Sequence, residues 1–273
     1  HVTAHYPDET VVDDFQNLYE EIKNPNHETG IDIWIEALND LLLGWRKQKL
    51  YILAAGTSMG KTAFLLSAAL EAVKAGKKVL FISLEMRYEE LLERLICMVS
   101  GVDNQSLQRR DLNAVQMTRL HQAEEKLTGY LVDGGLVVEE LNSPTMYEIE
   151  GKIDYHGNSG LDIVFIDYIG VEMIQYSNGP QNQMIQRVPG PTEHGNHLWA
   201  EMRRIKSEKP YPFVVGAQVN RSYMNRAKGN KRPNKTDISN SSKAENAADA
   251  LLLLRREEVD GIGIPAHADL TCA

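Results

Sequence analysis

A glycine-containing segment between a predicted strand and a predicted helix constrains this chain more than any other feature. Residues 50–55 are an apolar run typical of a buried strand, and residues 61–75 predict a helix that ends at Gly76. A turn of this kind lets successive backbone N–H groups point at one anion, and the N-terminus of the following helix adds its positive end. The segment therefore predicts a phosphate-binding loop.

The residue types in this loop suit a nucleoside triphosphate. We expect Lys61 to place its ammonium between the β- and γ-phosphates and Thr62 to offer its hydroxyl to Mg²⁺. Ala55 stands where the strict pattern has its first glycine. The alternative is an ordinary glycine turn before a helix, which the intact Gly-Lys-Thr run disfavours. The predicted nucleotide-binding residues are Gly56, Thr57, Ser58, Met59, Gly60, Lys61, Thr62 and Ala63.

Strands and helices are predicted to alternate along the rest of the chain. Helical patterns cover residues 88–99 and 113–127, and stretches rich in Asn, Ser, Gly and Pro at 175–195 and 221–243 predict long loops. Further strands are predicted at residues 78–84, 136–138, 163–166, 213–217 and 250–254. This alternation predicts an α/β fold with a mostly parallel central sheet and helices on both faces.

Residues 1–30 form a separate polar zone with one amphipathic patch that includes Phe15 and Tyr19. This patch predicts a helix that either packs on its own domain or acts as a tether that docks on a neighbouring subunit. The predicted organisation is therefore a linker at residues 1–30 and one large α/β domain at residues 31–273.

Composition limits the partners of the chain. A net charge of −9 over 273 residues excludes a surface that is basic overall, so contact with nucleic acid would have to be local. Cys97 and Cys272 lie far apart and have no metal-ligand spacing, which favours a reducing compartment. No apolar run approaches the roughly 18 residues of a membrane span, so we expect no membrane partner.

Two carboxylates follow predicted strands. Asp167 comes directly after the most apolar strand, where a Walker-B aspartate holds Mg²⁺ or its water. Glu85 follows the strand at 78–84 and either polarises an attacking water as general base or caps the next helix. Because ligands collect at the carboxyl ends of strands in an open α/β sheet, we expect Asp167 to meet the phosphate loop.

These motifs together resemble those of the DnaB-type replicative helicases. The resemblance is carried by residues 56–63, by the Ser-Leu-Glu-Met run within 81–86 and by Ile-Asp-Tyr at 166–168. Residues 216–221 resemble the strand-end glutamine motif of the family, and residues 231–255 resemble its last motif. The matches are colinear from about residue 29 to residue 255.

The resemblance implies a RecA-like core that assembles into a hexameric ring with ATP between subunits. It implies 5′→3′ translocation on single-stranded DNA, duplex unwinding, and contacts with primase and a helicase loader in a bacterial or phage-infected cytoplasm. By residue, Lys61 and Thr62 match the phosphate and Mg²⁺ ligands, and Asp167 matches the Walker-B acid. Glu85 matches the catalytic base, and Gln218 matches the sensor of the γ-phosphate.

A basic run follows Gln218 in this otherwise acidic chain. Its position favours contact with the phosphates of single-stranded DNA, without base-specific reading, over a solvated flexible loop. The residues predicted to bind DNA are Arg221, Arg226, Lys228, Lys231, Arg232 and Lys235.

Some positions depart from the family pattern. Thr57 stands where the family often has proline, and residues 188–194 are unlike the helix expected there. Residues 270–273 resemble the strand that precedes the arginine finger, so we expect that finger beyond the chain end and weak hydrolysis by the isolated chain. Two alternatives share the phosphate loop: a RecA-like ATPase of recombinase or clock type, and a non-catalytic ATP-binding helicase-loading or regulatory protein, which has no need of Glu85.

Overall fold

A single central sheet organises the chain. The computed structural model describes residues 30–177, 189–220, 234, 237–238, 243–256 and 268–272, with residues 13, 15–17, 19–20 and 23 of the N-terminal zone. The strands in these ranges are β1 Leu50–Ala55, β2 Val79–Ser83, β3 Leu136–Glu140, β4 Ile163–Ile169, β5 Phe213–Gln218, β6 Ala250–Arg256 and β7 Ala268–Cys272. Their order is β3-β2-β4-β5-β1-β6-β7.

Helices connect these strands. Within the described ranges they are α1 Glu36–Leu42, α2 Lys61–Lys74, α3 Tyr88–Ser100, α4 Asn104–Arg109, α5 Ala114–Val132, α6 Met146–Gly157, α7 Pro191–Glu208 and α8 Ala244–Ala247. None of the helices in the described part of the chain is long and apolar enough to cross a membrane. The described residues between 13 and 23 are helical, and the side chains of Phe15 and Tyr19 there are exposed.

The fold class predicted from the sequence is confirmed. The first six strands run parallel, and only β7 pairs antiparallel, with β6. Side chains of β1 alternate between two apolar layers, with Leu50 and Ile52 on one face and Tyr51 and Leu53 on the other. One layer is covered by α2, α3 and α5, and the other by α6, α7 and α8. Burial on both faces explains why the strands read as continuous apolar runs.

One predicted loop is shorter than expected. The irregular stretch at 175–195 contains the first turn of α7, which begins at Pro191, so the expectation of an unhelical segment through residue 194 was wrong. Proline fits the first helical position because its missing N–H has no partner there and its φ is already helical. Helix α6 was not predicted, although Thr145 and Glu148 form a reciprocal capping box at its start.

Asp249, part of the last family-like motif, lies at the amino edge of the sheet, away from the phosphate loop. Its carboxylate accepts bonds from the Leu50 backbone N–H at 2.9 Å, Lys49 Nζ at 3.0 Å and Lys206 Nζ at 2.6 Å. Burial raises the pKa of Asp249, but the bonds from Lys206, Leu50 and Lys49 outweigh it and leave the pKa lowered. Asp249 therefore joins β1, β6 and α7 structurally.

We predict that Asp249→Asn destabilises the fold by about 1–3 kcal/mol at neutral pH, because charge-assisted bonds are removed. Since folding lowers this pKa, the stabilisation is complete above the ordinary value of 3.8 and is lost as the pH falls below it. Urea unfolding at about pH 7 and about pH 3.5 should show the gap to the unsubstituted chain shrinking in acid. The exposed Asp111→Asn variant is the control, and a gap independent of pH would contradict this account.

Candidate functional site

The phosphate loop is a tight turn between β1 and α2. The Met59 N–H donates to the Gly56 carbonyl at 3.2 Å, and Ser58 and Gly60 have left-handed backbones with φ of 63° and 99°. Gly60 is suited to that φ because it has no Cβ. Of the predicted nucleotide-binding residues, the first five form the turn, and the last three begin the helix: Gly56, Thr57, Ser58, Met59 and Gly60, then Lys61, Thr62 and Ala63.

Two departures in this region have structural explanations: Ala55 departs from the strict phosphate-loop pattern, and Thr57 departs from the family pattern. Ala55 is still part of β1, in register with Gln218 on one side and Leu254 on the other, so no glycine is needed there. The hydroxyl of Thr57 accepts a 3.0 Å hydrogen bond from Gln218 Nε2. A proline at this position has no hydroxyl and could not make this contact, which connects the loop to the end of β5.

Asp167 lies beside the first turn of α2. One of its carboxylate oxygens, Oδ2, accepts a 2.6 Å hydrogen bond from the Thr62 hydroxyl, and the other, Oδ1, lies 3.5 Å from Lys61 Nζ. The residue is only 1% exposed, and its Oδ1 has no hydrogen-bond partner. The predicted convergence of Asp167 with the phosphate loop is thus a feature of the structure.

Glu85 lies at the same edge of the sheet. The Leu84 N–H donates to the Asp167 carbonyl at 2.8 Å, and Ser83 Oγ bonds both the N–H and the carbonyl of Met86. These hydrogen bonds fix the turn that carries Glu85. Its Oε2 lies 3.8 Å from Lys61 Nζ, and 43% of the Glu85 side chain is exposed. The alternative that Glu85 caps α3 is wrong, because Arg87 occupies the N-cap position.

Two residues that sequence reasoning gave no role also belong to the site. The Lys61 ammonium lies 3.2 Å from the centroid of the Tyr168 ring, and the peptide bond between Asp167 and Tyr168 is cis. A Cβ on Gly216 would lie 3.0 Å from Lys61 Cδ, 3.0 Å from Tyr168 Cβ and 3.1 Å from Asp167 Oδ1. Gly216 was part of the glutamine motif, but only the packing shows that it makes room for the lysine.

The electrostatics of the site follow from its burial. Burial lowers the pKa of Lys61, and the negative charges of Asp167 and Glu85 oppose that effect. Burial also raises the pKa of the Tyr168 phenol, and its hydrogen bond to Glu172 acts in the same direction. The lysine is thus a partly desolvated cation surrounded by acceptors, where charge interactions are stronger than in water.

The oxygen atoms of this site fit Mg²⁺. Magnesium is usually held by one or two carboxylates, together with waters and phosphate oxygens of the substrate. The Thr62 hydroxyl and Oδ1 of Asp167, which has no hydrogen-bond partner, are hard oxygen atoms of this kind beside the phosphate loop. The described residues contain no cluster of three or more His, Cys, Asp or Glu side chains that would suit another metal.

The predicted DNA-contacting residues lie outside the described residues: Arg221, Arg226, Lys228, Lys231, Arg232 and Lys235. The ends of this run are described. Val219 and Ile238 form an antiparallel bridge, and the Asn220 N–H donates to the Asp237 carbonyl at 2.7 Å. The residues on the two sides of the run therefore pair with each other just after Gln218, at the end of β5.

Comparison with known proteins assigns this arrangement to a family. Residues 30–268 match the family model of the DnaB-like helicase C-terminal domain. The chain belongs to this family. A solved structure of a DnaB-like replicative helicase, described with its interactions with primase, superposes with a TM-score of 0.77 at 22% identity, over 94% of this chain and 64% of that one. The similarity in fold to this helicase therefore extends over nearly the whole chain.

Curated relatives in the DnaB-like family are replicative helicases. The chain is 28% identical to replicative DNA helicase DnaC of Bacillus subtilis over 252 residues, which cover 92% of this chain and 52% of the relative. It is 29% identical to replicative DNA helicase DnaB of Pasteurella multocida over 254 residues, which cover 89% and 50%. The chain thus spans about half the length of these relatives.

We predict that Gly216→Ala destabilises the protein by about 1–3 kcal/mol, because the new methyl overpacks the space that Lys61, Asp167 and Tyr168 share. Gly151→Ala is the matched control, since a Cβ there meets nothing within 4 Å and the residue lies inside α6. That variant should be neutral or more stable by up to about 1 kcal/mol. Urea unfolding of both variants measures the difference, and equal effects would exclude a special role for Gly216.

Proposed function

We propose that this chain is the ATP-hydrolysing motor domain of a replicative DNA helicase. The observation that carries the proposal is the convergence of Asp167 and Glu85 on Lys61 at one edge of the sheet. A phosphate loop alone is shared by kinases, switches and motors, whereas a second carboxylate beside it suits hydrolysis by an activated water. Membership of the DnaB-like family supports DNA as the track on which the motor acts.

In the proposed reaction each side chain has one task. The backbone N–H groups of the loop and the Lys61 ammonium bind the β- and γ-phosphates of ATP. Thr62 and Asp167 would hold Mg²⁺, which when bound neutralises charge on the phosphate oxygens. Glu85 accepts a proton from water as the water oxygen bonds to the γ-phosphorus, and ADP leaves with the electrons of the broken P–O bond.

Coupling to DNA is proposed to run through Gln218. Its side chain contacts Thr57 of the phosphate loop, and the basic run begins three residues later along the same chain direction. A change at the γ-phosphate that alters this contact would therefore reach the segment proposed to bind single-stranded DNA. Movement in the 5′→3′ direction is part of the proposal and rests on the family resemblance alone.

The proposed assembly is a homo-hexameric ring with ATP between subunits, in the cytoplasm of a bacterium or a phage-infected cell. We propose residues 1–30 as a linker to a neighbouring subunit and residues 31–273 as the motor domain. Exposure of Phe15 and Tyr19 leaves an apolar side of the linker available for such docking. Primase and a helicase loader are the further proposed partners.

If Glu85 is the general base, replacing it should slow ATP hydrolysis without weakening ATP binding. In an assembled ring, Glu85→Gln should lower kcat by about 10²- to 10⁴-fold and change the Kd for ATP by less than about threefold. Lys61→Ala should instead lose nucleotide binding, because the charge on the phosphates is then unmatched. Steady-state ATPase assays and titration with a fluorescent nucleotide measure the two quantities.

Glu89→Gln is the control for the base, since Glu89 is an exposed carboxylate in the first turn of α3. It should leave both quantities unchanged. Turnover by Glu85→Gln at the rate of this control would contradict the assignment of Glu85 as general base.

The basic run predicts salt-dependent binding of single-stranded DNA. Neutralising Lys231, Arg232 and Lys235 together should weaken binding and reduce the slope of log K against log salt by about 0.7 for each DNA phosphate that is no longer neutralised. Fluorescence anisotropy with an oligothymidine over a series of salt concentrations measures the slope. Neutralising three exposed basic residues of α4 and α5 is the control: Arg109, Arg119 and Lys126. An unchanged slope in the first variant would remove this run as the main site of DNA binding.

A further inference from the structure

The Lys61 ammonium contacts an aromatic ring as well as two carboxylates. Beside two carboxylate oxygens at 3.5 and 3.8 Å, the nearest group is the face of an aromatic ring, with the Tyr168 centroid at 3.2 Å. The negative face of a ring attracts a cation, and the attraction is strongest where water is excluded. Tyr168 is only 3% exposed and the Lys61 side chain 10%, so this contact is largely desolvated.

The ring itself is fixed from its other end. The Tyr168 hydroxyl donates a 2.7 Å hydrogen bond to Glu172 Oε1. Glu172 lies within a turn in which the N–H groups of Met173 and Ile174 both donate to the Gly170 carbonyl. The buried side chain of Ile174 anchors the turn in the apolar layer under α7. The phenol therefore cannot rotate away from Lys61 without breaking its bond to this anchored turn.

Two glycines make this arrangement possible. A Cβ on Gly170 would lie 2.7 Å from Glu172 Oε1 and 2.9 Å from Tyr168 Cε2, so with any other residue the Glu172 carboxylate or the Tyr168 ring would have to shift. A Cβ on Gly216 would meet the Lys61 stem and the Tyr168 Cβ from the neighbouring strand. The backbone is therefore open on both sides of the tyrosine, where the lysine and the glutamate approach it.

We propose that Tyr168 is a positioning residue for Lys61: its ring face fixes the ammonium beside Asp167 and Glu85, and its bond to Glu172 fixes the ring. The inference rests on the proposed function, because the lysine is the group proposed to bind the β- and γ-phosphates. In this arrangement the turn after β4, at residues 170–174, holds the Tyr168 ring, and the ring holds the ammonium proposed to bind phosphate. Tyr168 itself touches no reacting atom in this proposal.

The direct test is a double-mutant cycle that needs no nucleotide. Tyr168→Leu is compared with the unsubstituted protein and again in a Lys61→Met background, where the stem remains and the charge is gone. If the ring holds the cation, Tyr168→Leu should lower the thermal midpoint by about 3–6 °C more in the protein that has Lys61 than in the Lys61→Met background. Equal decreases in the two backgrounds would reduce Tyr168 to a packing residue and overturn the proposal.

A second series keeps the shape of the ring, so that folding is not in question. Phenylalanine and its progressively fluorinated analogues are placed at residue 168, which lowers the negative charge of the ring face with little change of volume. The coupling of residue 168 to Lys61 should be smaller in Tyr168→Phe, which keeps the ring face but loses the bond to Glu172, and should fall further with each step of fluorination. A flat series in well-folded variants would overturn the proposal.

Enzyme kinetics then connects the position of the lysine to the proposed reaction. We expect ATPase kcat/KM to fall by about tenfold or more for Tyr168→Leu, which loses the ring face, and to fall less for Tyr168→Phe, which keeps the ring face but loses the bond to Glu172, since misplaced binding groups are costly in the transition state. Full activity of a folded Tyr168→Leu ring would count against positioning. Absence of ATPase in the unsubstituted ring would instead contradict the proposed function, and the nucleotide-free cycle would still decide the role of Tyr168.

Discussion

The hydrogen bond between the Thr62 hydroxyl and the Asp167 carboxylate is the constraint on which the rest of the site depends. It joins the first turn of α2 to the end of β4 at 2.6 Å, although the two residues are 105 positions apart in the chain. Asp167 is almost fully buried, so its charge must be matched locally by Thr62 and Lys61. The bond therefore holds the helix that follows the phosphate loop directly beside Asp167.

The sheet order makes this meeting possible. Strand β4 lies between β2 and β5, so Asp167 has the end of β2 with Glu85 on one side and Gly216 of β5 on the other. The phosphate loop follows β1, one strand further along. A parallel arrangement carries all of these strand ends to the same edge, where a ligand can touch each of them. Because residue 216 is a glycine, β5 leaves space beside it for the side-chain stem of Lys61.

Much of the fold could be predicted because its signals are local. The apolar run of β1, the Gly-Lys-Thr turn and the helix after it lie within about 25 residues, and every predicted core strand overlaps an observed one. The role of Glu85 could not be predicted in the same way, since a strand-end acid and a helix-capping acid have the same spacing. The N-cap at Arg87 and the bonds of Ser83 to Met86 exclude the capping role, and the role of general base stays a proposal.

The interactions that sequence reasoning missed are long-range. The stacking of Lys61 on Tyr168 and the space beside Gly216 join residues more than 45 positions apart, and no periodic pattern encodes them. The bond between Thr57 and Gln218 was missed for the same reason, because Thr57 was predicted as a residue of the phosphate loop and noted as a departure from proline, without a partner at the end of β5. Helix α6 was different: Thr145 and Glu148 carried a capping-box signal that was present but not used.

The most direct measurement of the central claim is the position of the metal in an experimental structure with Mn²⁺ and a non-hydrolysable ATP analogue, located by anomalous scattering. The account predicts one Mn²⁺ at about 2.1–2.2 Å from Thr62 Oγ1, with the Asp167 carboxylate bound directly or through one water and the β- and γ-phosphates completing the coordination. A metal bound to the phosphates but away from both side chains, with their hydrogen bond unchanged, would contradict it.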